Sequence, residues 1–376
     1  MEFDFAALSR HPDVEAPGLR ASDAADRLLL DEAAEALAEA QAGAVVVIGD
    51  AYGALTLGAA ARHGVTGIRV HQDALSGERA LAANARRLAG ADAYTSHALD
   101  EELLAGAEVV LLRLPRSLDA LDEIAEAVAL WSAPTVRVFA GGMVKHMTPG
   151  MNDVLRRRFA HLDVTHARQK ARVLVAAGAL RPQAPSWPRT RVDERTGLTI
   201  VAHGAAFAGA SVDVGTRFLL QHLDGARPGA TEAIDLGCGT GVLAVELARR
   251  RPGIRVLATD QSTAAVASAR ATAAANGVAD RVTVVRDDAL GARADRSAEL
   301  VVLNPPFHIG AAVHSGIALK LFADAGRVLA PGGELWAVWN AHLRHRPALE
   351  RLVGPTRQIA RNPTFTVTAS TRAVTP

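Results

Sequence analysis

The sequence predicts an α/β protein with largely parallel sheets, built as two tandem copies of one fold. Three observations predict it. Apolar runs that read as strands alternate with helical stretches along the whole chain. The 376 residues suit two domains, each large enough for its own core. Matched segments also recur in the same order. Gly49 and Gly53 of VVVIGDAYGALTLG (45–58) pair with Gly237 and Gly241 of EAIDLGCGTGVLAVE (232–246), both 188 positions apart (237 − 49 and 241 − 53). GIRV occurs at 67–70 and at 253–256. AEVVLLRLPR (107–116) matches AELVVLNPPF (298–307), 191 positions on (298 − 107). VLVA (173–176) sits where TVTA (366–369) ends the second half. Four matches in one order signal duplication.

The second half reads element by element. An amphipathic helix spans 211–223, and the strand TEAIDLG (231–237) runs into glycines. VLAVELARR is a helix. GIRVLATD (253–260) is a strand ending in an acid. The next helix starts on the cap Ser262 and stops at Asn276-Gly277. RVTVVRDDA (281–289) and ELVVLN give the third and fourth strands. The helix GIALKLFADAGRVLAPGG leads to the fifth strand, ELWAVWNAHL (334–343), and RNPTFTVTAS (361–370) alternates as a late antiparallel strand. The clearest break is 180–197, where Pro182, Pro185 and Pro188 stand among arginines. It reads as a linker, dividing the chain into 1–181 and 182–376.

Bulk composition excludes several classes. With 49% apolar and 22% charged residues the chain is globular and soluble. Acids or arginines interrupt every apolar run before it could cross a bilayer. Glu2 and Asp4 stand where a signal peptide needs positive charge, so a cytoplasmic location is expected. One cysteine, Cys238, allows neither a disulfide framework nor a thiolate zinc site, and no metal is expected. A net charge of +1 says little about partners. Arginine clusters at 156–158, 168–172, 181–195 and 344–346 read first as solvated surface.

Chemistry concentrates in four places. In DLGCGTG (235–241), Gly237, Gly239 and Gly241 follow the acid Asp235 between strand and helix. Glycines there allow a sharp turn and close ligand approach. A dinucleotide site wants Gly-x-Gly-x-x-Gly, but Val242 occupies the last position. Gly-x-Gly-x-Gly after an acid resembles instead the first motif of class I S-adenosylmethionine-dependent methyltransferases. Asp260, ending the second strand, suits a ribose diol. After the third strand Asp288, or its neighbour Asp287, suits an adenine amino group. The fourth place is Asn304-Pro305-Pro306-Phe307, a tetrad resembling that of methyltransferases acting on nitrogens attached to planar groups. Such a nitrogen is a poor nucleophile, because its lone pair is delocalised. The Asn304 side-chain oxygen and the Pro305 carbonyl can accept its two N–H groups and aim the lone pair. Pro306 restricts the backbone, and Phe307 offers a face for stacking.

Taken together, NPPFH, GGELWAVWNAHLRHRPALERL, RNPTFTVTAS and HGAAFAGASVDVGTRFLLQHL (203–223) resemble the catalytic domain of bacterial ribosomal RNA guanine-N2 methyltransferases of the two-domain RsmC/RlmG type. The resemblance covers roughly residues 195–372. It implies two Rossmann-like class I methyltransferase domains, each with a seven-stranded, mostly parallel sheet, the N-terminal one degenerate. It implies methyl transfer from S-adenosylmethionine to the N2 of a guanosine in 16S or 23S RNA, free or in a ribosomal subunit, by a monomer. Asp235, Gly237, Gly239, Gly241, Asp260, Asp288 and Asn304 would hold cofactor. Asn304, Pro305, Pro306 and Phe307 would carry catalysis, with Phe307, His308 and Arg344 touching substrate.

The first half departs from this pattern. Ala51 stands where the middle glycine should be, Val47 replaces the acid, and Arg113-Leu114-Pro115-Arg116 replaces the tetrad. It is expected not to bind S-adenosylmethionine but to dock RNA or stabilise its neighbour. Other readings of the tetrad remain: a protein glutamine amide or an adenine N6 as target, or a non-catalytic RNA-binding assembly factor. An NAD enzyme is more distant still.

Overall fold

The computed structural model describes residues 3–16, 18–305 and 311–373. The chain divides into two compact units, Met1–Trp187 and Pro188–Pro376. The division lies a few residues beyond the expected boundary at 181/182, for a local reason. Arg181 donates to the Ser132 carbonyl at 2.7 Å, the Ser186 N–H to Glu126 Oε1 at 2.7 Å and Trp187 Nε1 to Asp122 Oδ2 at 3.3 Å. These bonds strap the proline-rich segment onto the first unit.

The first unit opens with α1 (Ala24–Glu32) and α2 (Ala34–Glu39), followed by β1 (Val45–Ile48), α3 (Ala54–His63), β2 (Ile68–His71), α4 (Leu75–Arg87) and β3 (Tyr94–Ser96). Then come α5 (Glu101–Leu104), β4 (Val109–Arg113), α6 (Leu118–Trp131), β5 (Arg137–Met143), α7 (Pro149–Arg158), β6 (Phe159–Val164) and β7 (Ala171–Ala179). The strands form one sheet in the order β3-β2-β1-β4-β5-β7-β6, parallel except where β7 meets its neighbours.

The second unit holds β8 (Arg189–Val192), β9 (Thr199–Ala202), α8 (Val214–Leu220), β10 (Glu232–Leu236), α9 (Val242–Arg250), β11 (Arg255–Asp260), α10 (Thr263–Ala275) and β12 (Val282–Arg286). It continues through β13 (Ala298–Leu303), α11 (Ala311–Val328), β14 (Leu329–Asn340), α12 (Arg346–Leu352), β15 (Thr356–Arg361) and β16 (Phe365–Thr371). Its main sheet runs β12-β11-β10-β13-β14-β16-β15, the same order as the first, with β16 antiparallel to β14 and β15. Two seven-stranded, mostly parallel sheets with one topology make the duplication structural as well as sequential.

Both faces of this sheet are covered, so β13 is apolar and buried from Leu300 to Leu303. Leu300 and Val302 pack with Val245 and Leu247 on one side, while Val301 and Leu303 pack with Phe322 on the other. Two expectations need correction. The helix expected over 211–223 is limited to α8, because Asp213 caps it by accepting the Thr216 N–H at 3.0 Å. The segment read as linker contains a strand, since β8 pairs with β9 in a hairpin. That hairpin is held by a polar stripe on the Ala-rich α10 and its C-cap, Asn276. Ser268, Thr272 and Asn276, four residues apart on one face, bond the backbone of His203, Val201 and Thr199.

Candidate active site

Parallel strands bring their carboxyl ends to one edge, and the strand order of the second unit reverses between β10 and β13. A crevice is expected there. The loops at this point are Gly237–Gly241 after β10 and Asn304-Pro305 after β13. They bound a cavity whose lining includes Phe207, Asp213, Thr216, Asp235, Gly239 and Asn304.

The glycine loop hangs on the end of β11. Gly237 and Cys238 N–H groups both donate to the Thr259 carbonyl, at 2.8 and 2.9 Å, and the Gly239 N–H donates to Asp260 Oδ2 at 3.0 Å. Gly239 has φ +53°, and nothing lies within 4 Å of where its Cβ would be, so the space is open to a ligand. Gly237 lines the same cavity. Gly241 does not: its Cβ would sit 3.0 Å from the Ala269 Cβ. Its absence of side chain seats α9 against α10.

Asp235 is buried. Its Oδ2 accepts the Ala244 N–H at 2.9 Å, while Oδ1 has no partner among the described residues. Burial raises its pKa to about 7, against the pull of the Ala244 N–H and with a smaller push from the Asp260 charge. Cys238 is pushed well up, first by burial and then by Asp260 and Asp235, so it stays a thiol rather than a nucleophile. Asp260 ties Gly239 to the start of α10, its Oδ1 taking the Ser262 N–H at 3.0 Å. The two acids after β12 divide their roles. Asp287 is buried and spends its oxygens on the N–H groups of Asp288 and Ala292, at 2.8 and 2.9 Å. Asp288 reaches out to Lys320 at 2.6 Å.

Asn304 Nδ2 donates to Asp213 Oδ2 at 2.9 Å and to Thr216 Oγ1 at 2.8 Å. Its Oδ1 is buried and has no partner among the described residues. Pro305 is buried beside it. Pro306, Phe307 and His308 lie outside the described residues. Arg344 is exposed, in a turn that follows β14. The sequence reading missed Asp213, Thr216 and the half-exposed Phe207 as site residues. Asp-x-x-Thr was a readable helix-cap signal; its reach to a residue 91 positions on was not.

At the equivalent place in the first unit the groups are different. Offsets of 190 and 191 bring Asp23, Asp26 and Arg113 onto Asp213, Thr216 and Asn304 (213 − 23, 216 − 26, 304 − 113). Arg113 grips both Asp23 oxygens at 2.9 and 3.0 Å and reaches Asp26 at 3.1 Å. Ala51 keeps a left-handed φ of +61° where Gly239 stands, and Gln72 replaces Asp260. The acid missing at Val47 has moved to Asp50, which caps α3 through the N–H groups of Leu55 and Thr56, both at 2.8 Å.

The acceptors of the second unit suit a cationic cofactor: an unpartnered carboxylate oxygen on Asp235, Asp260 at a strand end, and open space over Gly239. Among the described residues no cluster could hold a metal, and no helix is long and apolar enough to cross a membrane.

Residues 197–369 match the family model described as the methyltransferase small domain, and residues 1–180 match that of the RLMG N-terminal domain. Ribosomal RNA large subunit methyltransferase G of Pseudomonas aeruginosa is 36% identical over 363 residues, covering 96% of each chain. The protein of that name from Streptomyces coelicolor is 35% identical over 375 residues, with the same coverage. Among solved structures, the T. thermophilus 16S rRNA N2 G1207 methyltransferase, in complex with AdoMet and guanosine, superposes with a TM-score of 0.77. That match covers 97% of this chain and 100% of the other at 22% identity, which establishes the shared two-domain fold. Matched along nearly its whole length, the chain belongs to the ribosomal RNA large subunit methyltransferase G family.

Proposed function

We propose that the protein transfers a methyl group from S-adenosylmethionine to the exocyclic N2 of a guanosine in large-subunit ribosomal RNA. The observation that carries this reading is the Asn304 amide, with both N–H groups used and its oxygen buried and empty. A planar amino group is the ligand that such an acceptor fits. The cofactor supplies a methyl bound to a sulfonium. Asp235, Gly237, Gly239, Asp260 and Asp288 would hold it. Asn304 Oδ1 and the Pro305 carbonyl would take the two N–H groups of the amine, aim its lone pair and stabilise the charge that grows on nitrogen. The alkylated nitrogen then loses its proton to water, and no strong base is required. Pro306, Phe307, His308 and Arg344 remain the proposed contacts to the base, which must leave its stack to reach the pocket. On this reading the protein works in the cytoplasm as a monomer on RNA or a ribosomal subunit.

The test is incubation with methyl-labelled cofactor and separate large subunits, small subunits, naked 23S RNA and naked 16S RNA. Label on a guanosine N2 of 23S RNA supports the reading. Label on adenine, on protein or on 16S RNA overturns it.

We also propose that residues 1–181 bind no cofactor and serve docking or stability, while 182–376 catalyse. Ala51, Gln72 and the Arg113 ion cluster support this. Calorimetric titration of the full chain with S-adenosylhomocysteine is expected to give one site, and two sites would overturn the division. The same titration checks Gly239→Ala. The front unit shows that alanine can hold this conformation, so the fold survives at a cost of about 1 kcal/mol. The added methyl enters the cofactor's space, and affinity falls roughly 10-fold or more, by analogy with uncompensated overpacking of 1–3 kcal/mol.

A further inference from the structure

We propose that Asp213 and Thr216 are positioning residues for methyl transfer: they fix which end of the Asn304 amide faces the reacting amine. The inference rests on the reading of Asn304 as the amine's acceptor. A primary amide has two ends of nearly the same shape, one accepting and one donating. Only the accepting end can bind an amino group. A carboxylate has nothing to donate, so Asp213 Oδ2 at 2.9 Å can face only the amide nitrogen. Thr216 Oγ1 takes the second N–H at 2.8 Å. With both donors spent, Oδ1 is the end left over, buried and without a partner. A flipped amide would set oxygen against the Asp213 oxygen. Gly215, between the two, keeps room here, because a Cβ on it would lie 3.1 Å from Asp213 Oδ2 and 3.5 Å from Asn304 Oδ1.

The duplicated half provides an independent observation. There the same three positions are Asp23, Asp26 and Arg113, and the helix-to-strand link persists as ion pairs. A link needed only for folding is satisfied that way, with every oxygen facing a donor. The neutral threonine–asparagine version leaves one buried acceptor empty, a cost that protein contacts do not offset and a bound N–H would.

The experiment measures single-turnover methyl transfer to naked 23S RNA, S-adenosylhomocysteine affinity and melting temperature for D213N, T216V, T216S, N304A and the D213N/N304A double variant. Asparagine caps helices as well as aspartate, so D213N keeps the start of α8. It brings an NH2 group that lets Asn304 turn over. D213N and T216V are expected to lower the single-turnover rate about 10- to 100-fold, the range for groups that orient a reacting ligand. Cofactor affinity and melting temperature stay near wild type. T216S, which keeps the hydroxyl, recovers most of the rate lost in T216V. The double variant is no slower than N304A alone, because Asp213 acts through an amide already removed. A D213N rate equal to wild type beside an inactive N304A overturns the proposal and leaves the Asn304 reading standing. Additive losses in the double variant also overturn it, assigning Asp213 to the fold. A fully active N304A instead removes the Asn304 reading itself, and this inference with it.

Discussion

Asn304→Ala is expected to lower the rate of methyl transfer about 10²- to 10³-fold, the cost of removing one pre-oriented group that stabilises transition-state charge. The Asn304 oxygen is a fixed amide acceptor in the cavity that meets no donor among the described residues, as is true of the carboxyl oxygen Oδ1 of Asp235 beneath the glycine loop. Removal of the amide leaves the Pro305 carbonyl to hold one N–H while the amine swings freely. The fold has little stake in the change. Asp213 still caps α8 through the Thr216 N–H, and the β13 core is untouched. Loss of transfer with an unchanged melting temperature is therefore the expected pair of results. A transfer rate equal to wild type would remove the mechanism.

The second large effect lies in the other unit and concerns stability. Arg113→Met replaces a guanidinium with an apolar chain of similar reach. Asp23, Asp26 and Asp50 then lose the cation that faces all three. Removing one partner of a buried ion cluster costs about 3–5 kcal/mol. Hydrogen exchange in α1 and β4, with denaturant unfolding, measures the loss.

The pH dependence follows from the directions of the shifts. Burial raises Asp26 to about 7 despite the Arg113 charge, with Asp23 and Asp50 adding to the rise. A raised carboxyl contributes stability that is fully present below its ordinary 3.8 and lost as pH climbs through about 7. Asp23 is also partly buried, but the Arg113 hydrogen bond and charge hold it below its ordinary value. Its contribution is present above the ordinary carboxylate range and lost in acid. Without Arg113, Asp23 loses that partner and Asp26 the one cation paired with it among the described residues. The defect of Arg113→Met should therefore be largest above pH 7 and shrink toward pH 5, as the acids take up protons. A defect that grows in acid would contradict this account.

Much of this was legible because it was local or repeated. The glycine loop, the strand-end acid and the Asn-Pro-Pro run each announce themselves within a few residues, and the matched offsets announce two copies. What stayed hidden depends on partners distant in sequence. β15 has one large apolar residue, Ile359, and exists because β16 pairs with it. β8 looked like linker and β9 went unread, because the hairpin's support is a stripe of three polar side chains on α10 and its C-cap, some 70 residues away. Gly241 looked like its sister glycines, and only the structure shows that packing against Ala269 also requires it. Val47 correctly signalled a lost acid, yet the carboxylate that caps the helix had been regained three positions later at Asp50.

The Arg113 cluster also sets the direction in which the front unit can change. To regain an acceptor there, arginine must become asparagine, and that single step strands Asp26 and Asp23 without a cation. Turning Asp26 back to threonine first leaves Arg113 short of one of its buried anions. Either route passes through a less stable protein before any chemistry returns. On the proposed division of roles, the ion cluster works as a ratchet: drift can adjust the front unit, but stepwise mutation does not lead it to catalysis.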